Sequence, residues 1–279
     1  MTTPASNHSE DISPRLKSGI LRAAAIQSAL HWQAPEDNIK RFEAHLNRCP
    51  DAGLCVLPEM FTTGFTMDPE SWAEPHDGPG ISWLKQQAQQ RQQTLCASTA
   101  SHIPLQGAPD YVNRMHWCAP DYYRHYDKRH LFRMAGEHKQ YRPGKERVIT
   151  EIAGFRCLLQ VCYDLRFPVF CRNKNDYDVM IVIANWPAAR SYAWRQLLIA
   201  RAIENQCYVI GVNRVGQDGN GHDYSGDSVI LDFKGRTLAD APAGEEAVVD
   251  ACLNLEDLQA FREQFPAHAD ADDFELKLD

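Results

Sequence analysis

A layered α/β domain is predicted by two features of this 279-residue sequence. Short apolar runs of strand length alternate with longer runs whose apolar residues recur at helical spacing, and no linker, internal repeat or low-complexity tract interrupts them. The composition, 44% hydrophobic and 24% charged, is that of an ordinary globular chain long enough to bury one large core.

The elements follow in order. Ile20 to Ala29 is apolar and rich in small residues, which fits a buried strand, and Pro35-Glu36-Asp37 then opens a helix with Ile39, Phe42 and Leu46 on one face. Leu54 to Pro58 is a short strand that stops at Glu59. Ile81 to Arg91 is a Gln-rich helix, and Leu95 to Ala100 the strand after it. Met115 to Cys118 and Tyr122 to Tyr126 flank an Ala-Pro-Asp turn as a hairpin; Arg147 to Ile152 and Phe155 to Cys162 form another across Ala153-Gly154. A helix is expected from Pro168 to Lys174, a buried strand from Met180 to Ala184, an amphipathic helix from Ala193 to Asn205 and a strand from Cys207 to Val212. A Gly-rich turn at Gly216 to Gly221, a strand at Ser228 to Asp232 and a last strand at Ala247 to Leu253 complete the set. Residues 1–19 read as a polar N-terminal arm, 20–255 as the domain, and 256–279 as a helical tail that is a candidate for a dimer interface.

Charge and cysteine usage exclude several classes. Lys and Arg number 29 against 37 Asp and Glu, a formal net charge of -8, and no basic block occurs. Nucleic acid and anionic membrane surfaces, which demand clustered positive charge, are therefore not expected partners. No window approaches eighteen apolar residues, so no membrane span is expected, and the polar, acid-bearing N-terminus lacks the apolar segment of a signal peptide. Nine cysteines without a CxxC pair point to structural thiols in a reducing compartment, hence the cytoplasm. Neither a dinucleotide fingerprint nor a Walker-type loop is present, so no cofactor is expected. His125, His130 and His138 flank Lys128, but their spacing is not a metal-ligand pattern and Lys128 and Arg129 would repel a cation; no metal is expected.

Three stretches each end an apolar run with a reactive group: LCVLPEMF with Glu59, HYDKRHLF with Lys128 and LLQVCYDLRFP with Cys162. Strand ends are where α/β folds carry chemistry. Singly, each has a plain structural reading: a solvated strand terminus, one cation of a basic strip, a core thiol. Together they suit acyl transfer from an amide. A carboxylate accepts the thiol proton, an ammonium with the backbone N–H of Tyr163 stabilises the oxyanion, and the ammonium is expected to lower the thiol pKa.

These motifs, in this order, resemble the nitrilase (carbon–nitrogen hydrolase) superfamily. PEMFTTGF, YDKRHLF and VCYDLRFP match its three signature stretches, and IVIANWPAAR, RAIENQCYVIGVNRVG and YSGDSVILDFKGR resemble its later segments, so that the likeness runs from about Leu21 to Leu253. The resemblance implies a four-layer αββα sandwich of the nitrilase type, pairing into homodimers, no cofactor, and catalysis by Glu59, Lys128 and Cys162. It also implies a second glutamate before a Pro-Gly turn. Glu137, ahead of Pro143-Gly144, stands there, with the suggested role of positioning Lys128 and the attacking water.

Within the superfamily, EMFTTGF and CYDLRFPVFCRN are similar to bacterial omega-amidases, which hydrolyse the side-chain amide of 2-oxoglutaramate and 2-oxosuccinamate. The expected partner is thus a small anionic amide. A protein of net charge -8 needs a local cation to hold it, best an Arg. Arg190 and Arg166 are the candidates, and a structural ion pair is the other reading of Arg166. Phe61, Phe65 and Trp186 would form an apolar wall, or belong to the core. Two alternatives stand: another superfamily amidase such as an N-carbamoyl amino-acid hydrolase, and a non-catalytic binding module on the same fold.

Overall fold

The computed structural model describes residues 18–104 and 110–277. Its strands are β1 (Ile20–Gln27), β2 (Leu54–Val56), β3 (Thr94–His102), β4 (Tyr111–Cys118), β5 (Tyr123–Asp127), β6 (Ile149–Ile152), β7 (Phe155–Val161), β8 (Val179–Ala184), β9 (Tyr208–Asn213), β10 (Val215–Gln217), β11 (Asp223–Ser225), β12 (Val229–Leu231), β13 (Thr237–Asp240) and β14 (Ala247–Asn254). Its helices are α1 (Pro35–Leu46), α2 (Pro69–Trp72), α3 (Pro79–Arg91), α4 (Glu137–Gln140), α5 (Pro168–Cys171), α6 (Ser191–Asn205) and α7 (Leu255–Gln264).

Two six-stranded sheets result, ordered β14-β1-β2-β3-β4-β5 and β13-β12-β9-β8-β7-β6, with β10 and β11 as a separate hairpin. The centre of each sheet is parallel, β1 to β3 in one and β7 to β9 in the other. Parallel strands are covered on both faces, which is why β8 reads VMIVIA without alternation and all six residues are buried. Small residues let β1 serve two layers. Leu21, Ala23 and Ala25 join the core shared with Leu159 and Ile181 of the opposite sheet, whereas Ala24 and Ile26 pack with Phe42 of α1 and Leu84 of α3. On the far side, α6 buries Trp194, Leu198 and Ala202. Leu198 alone contributes about 1.5–3 kcal/mol on leaving water. The outcome is the four-layer αββα sandwich that the resemblance implied.

The expected tail helix is real over Leu255–Gln264. Asn254 caps it by accepting from the backbone N–H groups of Glu256 and Asp257, Leu258 is fully buried, and Phe261 stacks on Phe233 with centroids 5.0 Å apart. Arg262 donates to Asp178 at 2.8 Å, fastening the helix to its own sandwich. A 3-10 turn at Ala267–Asp270 follows, and 271–277 hold no helix or strand, so the tail is helical only in its first part. Of the expected N-terminal arm, 1–17 lie outside the described residues, while Ser18 and Gly19 form a turn. The helix expected from Pro168 to Lys174 stops at Cys171, because Asn173 donates its side-chain amide to the carbonyls of Tyr177 and Asn205 and pulls the chain into a turn. Among the described residues no helix is long and apolar enough to cross a membrane.

Candidate active site

The sandwich brings four strand ends to one edge. Glu59 lies just beyond β2 and Lys128 directly follows β5 in the first sheet; Cys162 and Asn185 directly follow β7 and β8 in the second. The sheets are joined here by Glu59. Its Oε2 accepts from the backbone N–H of Asn185 at 2.7 Å, and its carbonyl accepts from the Asn185 side-chain amide at 2.5 Å.

Glu59, Lys128 and Glu137 are each completely buried. The Lys128 ammonium donates to Glu59 Oε1 at 2.9 Å and to Glu137 Oε1 at 3.0 Å. Glu137 begins α4, immediately after Gly136 at φ 79°, and its Oε2 accepts from the Phe132 N–H at 2.5 Å. Burial works against the charge on Lys128, but the carboxylates of Glu137 and Glu59 outweigh it and hold the ammonium's pKa well above its ordinary value. Burial pushes Glu137 up, with Lys128 pulling the other way. The cation between the carboxylates is therefore permanent across the neutral range.

Cys162 sits at φ 49°, in the left-handed region, at the start of a 3-10 turn over Cys162–Arg166. The turn is pinned by Asp164. Its Oδ2 accepts from the Val161 N–H at 3.0 Å and from the Tyr126 hydroxyl at 2.8 Å, while Oδ1 accepts from the His130 N–H at 2.9 Å. The first N–H groups of a helical turn have no partner within it, and that of Tyr163 directly follows the thiol in the chain. The expected lowering of the thiol pKa does not occur. Burial and the Glu59 carboxylate push Cys162 well above the ordinary thiol value, and the pull of Lys128 is the smaller effect. The resting group is the thiol.

Cys162 and Asn185 open onto a cavity of about 780 Å³. Phe65, Tyr163 and Trp186 line it, as do Arg166 and Arg190. The Arg166 guanidinium lies 4.9 Å from the Trp186 ring centroid and that of Arg190 5.3 Å from Phe132. Neither makes an ion pair among the described residues, which removes the structural reading of Arg166 and leaves both cations free to meet an anion.

A family model described as carbon-nitrogen hydrolase matches residues 22–263. The chain belongs to the carbon-nitrogen hydrolase family. An omega-amidase, YafV, of Yersinia enterocolitica is 49% identical over 92% of this chain and 98% of its own length. A 2-oxoglutaramate amidase of Bacillus subtilis is 32% identical over 88% of this chain and 96% of its own. Among solved structures, a CN-hydrolase superfamily protein of Xanthomonas campestris with an arsenic adduct in its active site superposes with a TM-score of 0.88 at 41% identity, covering 92% of this chain and 99% of that one.

One expected pocket residue of this carbon-nitrogen hydrolase is elsewhere. Phe61 is core: it packs with centroids 5.7 Å from both Phe42 and Trp83 in the layer under α1 and α3. The cause is Met60, whose φ of 47° breaks the two-residue alternation and turns Phe61 away from the side that Glu59 faces. Sequence reasoning missed Asn113, Asn185 and Asp164. The signal for Asn185 was the strand-end rule already used for Cys162, and for Asn113 a polar residue inside the buried strand YVNRMHWC. The hairpin of β10 and β11 was also missed as a wall: Asp218 and Tyr224 line the cavity, joined by a hydrogen bond of 2.8 Å.

Proposed function

We propose that this hydrolase is an omega-amidase, cleaving the terminal amide of a 2-oxo-dicarboxylic acid monoamide such as 2-oxoglutaramate or 2-oxosuccinamate. The observation that carries the reading is near full-length identity of 49% to a relative of that activity. The residues supply a complete sequence of steps. Glu59 takes the proton of Cys162 as Sγ bonds to the amide carbon; the carbonyl π electrons move to oxygen, where the Lys128 ammonium and the Tyr163 N–H meet the charge. Collapse breaks the C–N bond, Glu59 returns the proton to the departing nitrogen, and ammonia leaves a thioester. Glu59 then deprotonates water as its oxygen bonds to the thioester carbon, with Glu137 holding Lys128 in place; the second collapse breaks the C–S bond, Glu59 returns the proton to sulfur, and the carboxylic acid and the thiol are freed. Arg190, and after it Arg166, is assigned to the substrate carboxylate, with Phe65 and Trp186 as the apolar wall.

All nine cysteines are free, which supports work in a reducing compartment such as the cytoplasm. A homodimer belongs to the same reading and is to be read as a solution mass of twice 31.6 kDa. The deciding assay is ammonia release. Turnover of 2-oxoglutaramate by the wild type, abolished in Cys162→Ala, is the expected result; efficient release from N-carbamoyl amino acids or nitriles, with none from 2-oxoglutaramate, overturns the substrate class.

A further inference from the structure

Around the buried carboxylates a second donor mirrors Lys128. Asn113, in the middle of β4 and completely buried, donates through Nδ2 to Glu59 Oε1 at 2.7 Å and to Glu137 Oε1 at 3.3 Å, the same two oxygens that Lys128 meets. The four groups close a ring. Both N–H bonds of the carboxamide are committed to it, while its Oδ1 is buried with no partner, an arrangement that costs about 1–3 kcal/mol. A flipped amide would aim that oxygen at two carboxylates, so the donors fix the orientation. The backbone of Asn113 is part of the same device, since its carbonyl accepts from the Lys128 N–H at 2.9 Å.

We infer that Asn113 is a positioning residue that holds the Glu59 carboxylate aimed at Cys162 by sharing one carboxamide between the two carboxylates. The groups facing Glu59 are Lys128, Glu137, Cys162 and, from the far side of the ring, Tyr141. Lys128 alone supplies one positive charge for two acids, and Glu137 is already pushed up by burial. A neutral donor shared by both acids fixes where their oxygens point without adding a cation that would compete for the oxyanion. The inference rests on the role of Glu59 as base given above, and on no particular substrate.

The test reads the base without an amide: the rate of alkylation of Cys162 by iodoacetamide at neutral pH, located by peptide mass mapping. Glu59→Gln should slow it by about ten-fold or more. Asn113→Ala should slow it by about three-fold or more when Glu59 is present and not further in Glu59→Gln, because it acts only through that carboxylate. Asn113→Asp, which puts an acceptor where the donor was, should slow it more, and Asn113→Ser, which retains one donor, less. If Asn113→Ala does not fold, Asp and Ser carry the comparison. Folded Asn113 variants that slow the reaction equally with and without the Glu59 carboxylate would reduce Asn113 to packing and overturn the inference. A Glu59→Gln variant alkylated at the wild-type rate overturns the assignment of Glu59 with it, whereas a Glu59-dependent rate with no ammonia from 2-oxoglutaramate faults only the substrate.

Discussion

Cys162 is held at φ 49°, a backbone state that costs a residue with a Cβ on the order of 1 kcal/mol, and the hydrogen bonds of Asp164 maintain it. The reward is a thiol at the floor of the cavity with Glu59 and Lys128 beside it. Glu59→Gln and Lys128→Met should each lower kcat by at least ~10² in steady-state ammonia release while leaving the far-UV spectrum unchanged; wild-type rates in either would remove that residue from the reaction. The arginines separate binding from chemistry. Arg190→Met is expected to raise KM for 2-oxoglutaramate by roughly ten-fold or more and to spare an uncharged amide of the same length, since a charge-assisted bond worth about 1.5–3 kcal/mol is lost only where a carboxylate is present. Equal effects on both substrates for Arg190 and Arg166 would show that neither reads it. At this scale Glu59, Lys128 and Cys162 were legible as neighbours because each reads as the end of an apolar run in a recognisable motif, and Glu137 only through the resemblance. Asn113 and Asn185 were not, because their importance is decided by what the facing strand or sheet presents.

Among the elements, β5 and the loop after it depend on one close approach. A Cβ on Gly144 would lie 2.0 Å from the carbonyl oxygen of Asp127, the residue before Lys128, and the Gly144 N–H donates to the Lys128 carbonyl. Gly144→Ala should therefore depress both the melting temperature and kcat, through displacement of Lys128; a variant with wild-type kcat would show that the strand can yield. Helix α7 is fastened by Asp178, which takes Arg156 and Arg262 together. Burial opposes the ionised form of Asp178, yet the hydrogen bonds from Arg156 and the charge of Arg262 hold its pKa below the ordinary value. Its contribution is thus complete above the usual carboxylate range and is lost as pH falls through the lowered value. Asp178→Asn should cost roughly 3 kcal/mol in urea unfolding at neutral pH, and the gap to wild type should narrow on acidification. A gap independent of pH would deny the carboxylate that role. The runs that made β1, β7, β8 and α6 legible are apolar; β13 escaped because three of its four residues are exposed, so it carries no apolar run. The helix after Cys162 was overestimated for a different reason, the long-range bonds of Asn173.

Taken as one molecule, the chain places its reactive groups on the rims of two sheets whose faces share a single core, and the hydrogen bonds from Asn185 to Glu59 and from Tyr126 to Asp164 are stitches between them. Neither sheet owns a usable set: the first holds the carboxylates and the ammonium, the second the thiol. Turnover is consequently a cooperative property in the folding sense. Any partly melted species in which one sheet slides against the other has lost the reaction as completely as the unfolded chain, and no half-active form should accumulate. In a urea titration the loss of ammonia release should coincide with the loss of the far-UV signal, within the error of the midpoints. Inactivation well ahead of unfolding would instead reveal that the seam between the sheets opens first, making the junction rather than the core the weakest part of the protein.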